Sequence, residues 1–192
     1  MVREGIILNL IKGKDVLDIG SVGQTDKYSL WNLYQPIQVN SLTGIDIPEA
    51  ENEKVKTFGI SPDDRDKHIV FGNMETYSFG RQFDVIIAGD VIEHVENQGL
   101  FLRNIHRHLR DNGTLVITTP NAQWLTVIGK PNPTHTLWHD RYTLERILNL
   151  SGLKIEDFRY YYGNKKHYNF VCKILTLRQS MLLICKKSKT GQ

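Results

Sequence analysis

The stretch Val16-Leu17-Asp18-Ile19-Gly20-Ser21-Val22-Gly23 constrains this chain more than any other. An apolar run rich in strand-forming residues closes on an acid, then on a glycine that lets the backbone turn sharply. A parallel strand delivers its carboxyl end to a small ligand in this way, with Asp18 left facing whatever sits there. A second run, Leu42-Thr43-Gly44-Ile45-Asp46, also closes on an acid. Two neighbouring strands that end in carboxylates suit a ligand carrying an amine and a ribose diol.

The rest of the chain alternates between the two patterns. Apolar periodicity predicts helices over about 2–12, 26–35, 97–110 and 140–150. Gly13, Pro36 and Gly152 stop three of them, and Asp140 can cap the last. Strands are predicted at about 15–19, 41–46, 68–71, 84–88, 114–118, within 153–162 and at 181–185, with Asp111-Asn112-Gly113 as a turn. Residues 48–67 and 119–139 read as loops. Such alternation implies an α/β fold with a mostly parallel sheet and helices on both faces. Ligands on such sheets bind beyond the carboxyl ends of the strands, where strand order reverses. Asp18, Gly20, Asp46, Asn73 and Asp90 stand at those ends.

Length and composition narrow the field. A chain of 192 residues suits a single domain with a real core. No apolar run reaches spanning length, and the start lacks the long apolar core of a signal peptide, so a cytoplasmic location is expected. Cys172 and Cys185 have no metal-type spacing and read as buried or idle thiols rather than a disulfide. The net charge of +3 is unevenly spread: residues 154–192 hold nine Lys/Arg and two acids, a balance of +7, which leaves −4 for the remainder. A basic end on an acidic body leaves room for an anionic partner there, a membrane or RNA.

Five motifs in order make the chain resemble a class I S-adenosylmethionine-dependent methyltransferase. They are Val16-Leu17-Asp18-Ile19-Gly20, the acid Asp46, Gly72-Asn73-Met74-Glu75, Phe83 to Val95, and Leu109 to Asn121. The fourth, with Gly89-Asp90-Val91-Ile92-Glu93-His94-Val95, is similar to the branch of ubiquinone- and menaquinone-pathway and small-metabolite enzymes. The resemblance implies a doubly wound, seven-stranded Rossmann-like sheet with strand seven antiparallel. It also implies S-adenosyl-L-methionine as cofactor. One departure stands in the glycine loop, where Val22 and Gln24 occupy positions at which the family carries glycine.

The chemistry of that cofactor assigns expected roles. Its carboxylate suits backbone N–H groups around Gly20, Ser21 and Gly23. Its ammonium suits Asp18 and the Gly20 carbonyl, and its ribose diol suits Asp46. For the adenine, Asn73 offers an acceptor while Ile47 and Met74 offer apolar walls. Asp90 and Val91 lie on the rim nearest the sulfonium. Methyl transfer is an in-line displacement in which positioning can do much of the work. Where a base is needed, His94, Glu93 and Asp90 are the candidates, the first two expected in the first turn of a helix. The loop with Asn121, Trp124, His135, Trp138 and His139 borders the acceptor site by the same resemblance. No metal is expected, since Pro133 argues against a helix that would align His135 with His139.

The expected acceptor is a small metabolite, sugar or lipid-type molecule, with O-methylation preferred. The alternatives are an RNA-directed methyltransferase that uses the basic C-terminal region, and a non-catalytic methyltransferase-like binding protein. A nicotinamide enzyme fits less well, because Gly20-Ser21-Val22 breaks the Gly-x-Gly start of a dinucleotide loop. Residues at about 163–179, rich in Lys, aromatic and apolar side chains, form an insertion between strands six and seven of the single domain 1–192.

Overall fold

A computed structural model describes residues 2–22, 38–48, 67–123, 132–161 and 179–188. The expected helix at 26–35, most of the 48–67 loop, Gly23, Gln24, Trp124, Cys172 and nearly all of the 163–179 insertion lie outside the described residues. The described elements are α1 (Val2–Ile11), β1 (Asp15–Ile19), β2 (Ser41–Asp46), β3 (Lys67–Phe71) and β4 (Phe83–Gly89), followed by α2 (Gln98–His108), β5 (Leu109–Pro120), α3 (Arg141–Leu150), β6 (Leu153–Tyr161) and β7 (Ser180–Lys187).

The strands form one seven-stranded sheet in the order β3-β2-β1-β4-β5-β7-β6. β1 pairs in parallel with β2 and β4, and β4 pairs in parallel with β5. β7 runs antiparallel to both β5 and β6. The chain leaves β1 toward one edge through β2 and β3, then returns to the other side of β1 at β4. The carboxyl ends of β1 and β4 therefore flank the point where strand order reverses, which is where such sheets bind ligands.

Strand periodicity divides the core between two faces. Val16, Val85, Ile87 and Val116 point to one face and meet Ile7 and Ile11 of α1. Leu17, Ile86, Ala88, Leu115 and Ile117 point to the other and meet Phe101, Leu102 and Ile105 of α2 and Leu144 and Leu148 of α3. The central strands are apolar on both sides because both sides are covered.

Helix ends follow their sequence signals. Gly13 (φ 64) and Gly152 (φ 75) take left-handed backbone just past α1 and α3. Asp140 caps α3 by accepting from the Thr143 N–H at 2.8 Å, and the Thr143 hydroxyl accepts from the Asp140 N–H at 3.2 Å. One expectation is corrected. Asp111-Asn112-Gly113 is not a turn before β5 but part of it, as an outward bulge. Phe83 pairs with Leu109 while Val85 pairs with Thr114, so the strand carries extra residues in between. Arg110, on that bulge, bridges Asp15 at 2.8 Å and Asp84 at 2.7 Å across the amino edge of the sheet.

Candidate active site

The bend after β1 is built by contacts that need glycine. Gly20 has φ 74, and a Cβ there would lie 2.7 Å from Val91 Cγ2. Its N–H donates to the Ile45 carbonyl at 2.8 Å, which ties the bend to β2. Val22 then donates its N–H to Asp46 Oδ2 at 2.8 Å and buries its side chain fully. Among described non-glycine residues only Asp90 has a positive φ, so the loop passes Val22 without left-handed backbone. Gly44 is a requirement not singled out from the sequence: a Cβ there would sit 2.5 Å from Ser21 Oγ and 2.9 Å from Ile69 Cγ1. Ser21, itself buried, packs against the second strand through that gap.

Two acids stand on either side of this bend. Asp18 is 2% exposed, and burial pushes its carboxyl up to about 8, with Asp46 adding to the rise and Arg3 opposing it. Asp46 is half-buried, and its Oδ1 accepts the Ile47 N–H at 2.9 Å. Each Asp46 oxygen thus holds one backbone donor and keeps a lone pair for another. A cation placed at Asp18 would restore its ionised form. The set of acceptors therefore fits a ligand with an ammonium group and a diol.

The loop after β3 lies on the far side of Asp46, whose backbone carbonyl accepts from the Gly72 N–H at 2.8 Å. Asn73 is exposed, with its Oδ1 accepting the Glu75 N–H at 2.8 Å. Ile47 is exposed at the rim, whereas Met74 is buried in the core. Glu75, which the sequence analysis named only as the end of the third motif, and Asn104, which it did not name, also act here. Glu75 Oε1 accepts the N–H groups of Glu96 and Asn97 at 3.0 and 3.1 Å. Asn104 donates to the carbonyls of Met74 and Tyr77 at 2.7 and 2.8 Å. Together they fasten this loop to the segment that leaves β4.

That segment carries the remaining candidates. Asp90 turns the chain at φ 55. Its Oδ1 accepts from Thr118 Oγ1 at 3.1 Å, and its Oδ2 is paired with Arg3 Nη1 at 2.7 Å. Val91 closes against Gly20. Glu93 and His94 sit in a tight turn, not in the first turn of a helix as expected, because α2 begins only at Gln98 with Asn97 as its cap. Gln98 reaches back from α2 to donate to the Ile92 carbonyl at 2.9 Å and holds that turn.

Glu93 is 2% exposed, and Thr119 Oγ1 donates to its Oε2 at 2.9 Å. Burial, with Asp90 adding, pushes its carboxyl up to about 8, while its backbone hydrogen bond and Thr119 pull the other way. His94 Nδ1 lies 3.1 Å from the Thr134 carbonyl oxygen. A carbonyl only accepts, so in the neutral ring Nδ1 carries the proton and Nε2 the lone pair. His135 packs edge-on against His94, ring centroids 4.8 Å apart, and burial and His94 both hold it below the usual histidine range. Glu93, His94 and His135 each bring one ligand atom within 4.8 Å of the others, although no metal is expected from the sequence. On the same loop Trp138 is partly exposed, His139 is buried and bridges Asn121 at the end of β5.

Comparison with known proteins adds a family. The profile of a family described as a methyltransferase domain matches residues 4–170. The chain is 33% identical over 165 residues to the mitochondrial ubiquinone biosynthesis O-methyltransferase of Rattus norvegicus, covering 76% of this chain and 46% of that enzyme. It is 28% identical over 113 residues to the ubiquinone biosynthesis O-methyltransferase of Rickettsia felis, covering 59% of this chain and 44% of that one. The chain thus spans less than half the length of these relatives. Among solved structures, an S-adenosylmethionine-dependent methyltransferase from Archaeoglobus fulgidus superposes with a TM-score of 0.69 at 18% identity, covering 97% of this chain and 92% of that one. Magnesium protoporphyrin IX methyltransferase from Synechocystis, with S-adenosylhomocysteine bound, gives 0.66 at 16% identity, covering 97% and 83%. These structural likenesses speak for the fold.

Proposed function

The chain belongs to the methyltransferase-domain family, and we propose that it transfers a methyl group from S-adenosylmethionine to a hydroxyl of a small acceptor. The observation that carries this reading is the pair of acids, Asp18 and Asp46, on adjacent strand ends around the Gly20 bend. Asp18 would take the ammonium and Asp46 the ribose diol, whereas the N–H groups of Gly20, Ser21 and Val22, expected at the cofactor carboxylate, are spent on the Ile45 carbonyl and on Asp46. Asn73 and Ile47 would meet the adenine, with Met74 beneath in the core. The cofactor supplies a methyl group already activated by its sulfonium, so the protein's task is alignment and proton removal.

His94 is the proposed base. Its Nδ1–H is engaged by the Thr134 carbonyl, which leaves the lone pair of the neutral ring on Nε2. The acceptor's proton passes to Nε2 as the oxygen takes the methyl group, and the imidazolium gives that proton to water afterwards. A phenol, with a pKa of about 10, is within reach of an imidazole, whereas an alkanol is far less so. Phenolic hydroxyls are therefore the first acceptors to try. The O-methyltransferase names of the relatives point the same way. Glu93, uncharged near neutral pH, would support the turn that presents His94.

The test is transfer of labelled methyl from S-adenosylmethionine to a panel of phenols, alcohols and amines. We expect phenol O-methylation, and His94→Ala should lower kcat by roughly 10²–10⁴-fold with cofactor affinity kept. Transfer to none of the panel, or an unaffected His94→Ala, refutes the assignment. A second reading rests on the Glu93, His94 and His135 cluster, which could hold a divalent cation beside the acceptor oxygen. Loss of activity on chelation, restored by added cation, would favour it over simple base catalysis.

A further inference from the structure

The loop at 132–139 grips the turn after β4 on both sides of His94. One residue, Thr136, does most of this. Its N–H donates to the Glu93 carbonyl at 2.8 Å. Its hydroxyl lies 3.0 Å from that same oxygen and 2.8 Å from the Val95 carbonyl oxygen, and shares its one proton between them. The Leu137 N–H also points at the Glu93 carbonyl, at 3.4 Å. His94 donates its own N–H to the Val91 carbonyl at 2.9 Å. The backbone is therefore held just before and just after His94.

The ring is held from the same loop. The Thr134 carbonyl takes His94 Nδ1 at 3.1 Å. Asn132 fixes that peptide in a turn: its Oδ1 accepts the Thr134 N–H at 3.1 Å and the Thr134 hydroxyl at 3.0 Å, and its carbonyl accepts the His135 N–H at 3.1 Å. Backbone and ring thus hang on one segment, 132–136, and a shift of that segment moves both. We infer that Thr136 is a positioning residue for methyl transfer. By clamping the carbonyls of Glu93 and Val95 it keeps the His94 ring on the Thr134 carbonyl, so that Nε2 keeps the lone pair that takes the acceptor's proton. The inference rests on the reading of His94 as the base. A displacement of about 1 Å at a reacting group can cost roughly a hundredfold in rate, which is why the clamp matters.

Two readouts test it on Thr136→Val, which keeps the shape and loses the hydroxyl, and on Thr136→Ser, which keeps the hydroxyl. The first is transfer of labelled methyl to the best phenol of the panel. We expect Thr136→Val to lower kcat about tenfold or more, with KM and the affinity for S-adenosylhomocysteine within about twofold of the wild type. Thr136→Ser should stay within about twofold in all three. In a His94→Ala background Thr136→Val should change kcat by less than about twofold, since nothing is left to position. The second readout is the nitrogen-15 spectrum of the His94 ring at pH 8.5, without substrate. The proton should sit on Nδ1 in the wild type and in Thr136→Ser, and should be divided between Nδ1 and Nε2 in Thr136→Val. Should Thr136→Val fail to fold, Asn132→Ala carries the same two readouts, because it frees the Thr134 carbonyl from its turn.

A kcat unchanged in Thr136→Val, or an equal loss with and without His94, would make Thr136 a merely structural residue and overturn the inference. So would a wild-type ring with its proton on Nε2, or a Thr136→Val ring that keeps it on Nδ1. A His94→Ala variant as active as the wild type removes the base reading and this inference together. That result is distinct from one in which His94→Ala is impaired and only the Thr136 effect is missing.

Discussion

Both oxygens of Asp46 hold backbone N–H groups, one on Val22 and one on Ile47. The residue therefore shapes the loop that it would share with a ligand. Asp46→Ala should weaken S-adenosylmethionine binding by about 1–3 kcal/mol through the lost charge-assisted bonds. Calorimetry on a variant whose melting is still cooperative checks this, and an unchanged affinity contradicts the ribose assignment. The acid was readable in sequence because it closes a short strand at a fixed place. Its tie to Val22 was not, since a contact across strands has no local signature. The same holds for the Thr134 carbonyl that selects the His94 tautomer, and for Thr119 on Glu93. Gly44 looked like any strand glycine, yet Ser21 fills the space where its Cβ would stand.

At the scale of elements, capping was legible and irregular pairing was not. Asp140 precedes an apolar period of helical spacing, and the structure puts Arg141 first in α3 with a reciprocal cap between Asp140 and Thr143. Asp140→Ala should cost about 1 kcal/mol, because an orphan N–H at the helix start loses its acceptor. Chemical denaturation should show this as a lower midpoint with an unchanged slope. A midpoint equal to that of the wild type would mean that the cap adds nothing beyond the packing of Leu144 and Leu148. The Asp111-Asn112-Gly113 run has turn chemistry, and the structure uses it as a bulge within β5. Turn residues specify a bend, and only the neighbouring strand decides whether pairing resumes on both sides of it. The late start of α2 has a similar origin. Glu75, from a loop distant in sequence, takes the N–H groups of Glu96 and Asn97, and Gln98 reaches back to Ile92.

For the molecule as a whole, buried acids make stability depend on pH. The Glu93 carboxyl rises from 4.5 to about 8 on folding, with burial first among the causes. The folded state then binds more protons than the unfolded chain between these values, so this residue lowers stability as pH climbs from about 4.5 to about 8. The penalty is absent below that window and complete above it. Glu93→Gln keeps the shape and removes the titration. Melting temperatures from pH 5 to 8.5 should fall less steeply for the variant than for the wild type, and parallel curves would show that Glu93 is not kept neutral. The alternation of strands and helices, and hence the sheet, was visible in the apolar pattern. The sign and strength of the charges gathered at one edge were not, because they depend on depth and on Arg3 arriving from a helix far away in sequence. Among the described residues no helix is long and apolar enough to cross a membrane.

The reversed direction of β7 has a practical side. Ser180 lies beside Pro120 and Tyr161 at the rim that holds the acids, while Lys187 pairs with Leu153 at the opposite rim. An affinity handle joined after Ser188 therefore departs from the far rim. Tethered to a sensor chip by that handle, the protein would present the rim with Asp18 and Asp46 to the flowing solution, and a handle spliced between Tyr161 and Ser180 would turn that rim toward the chip.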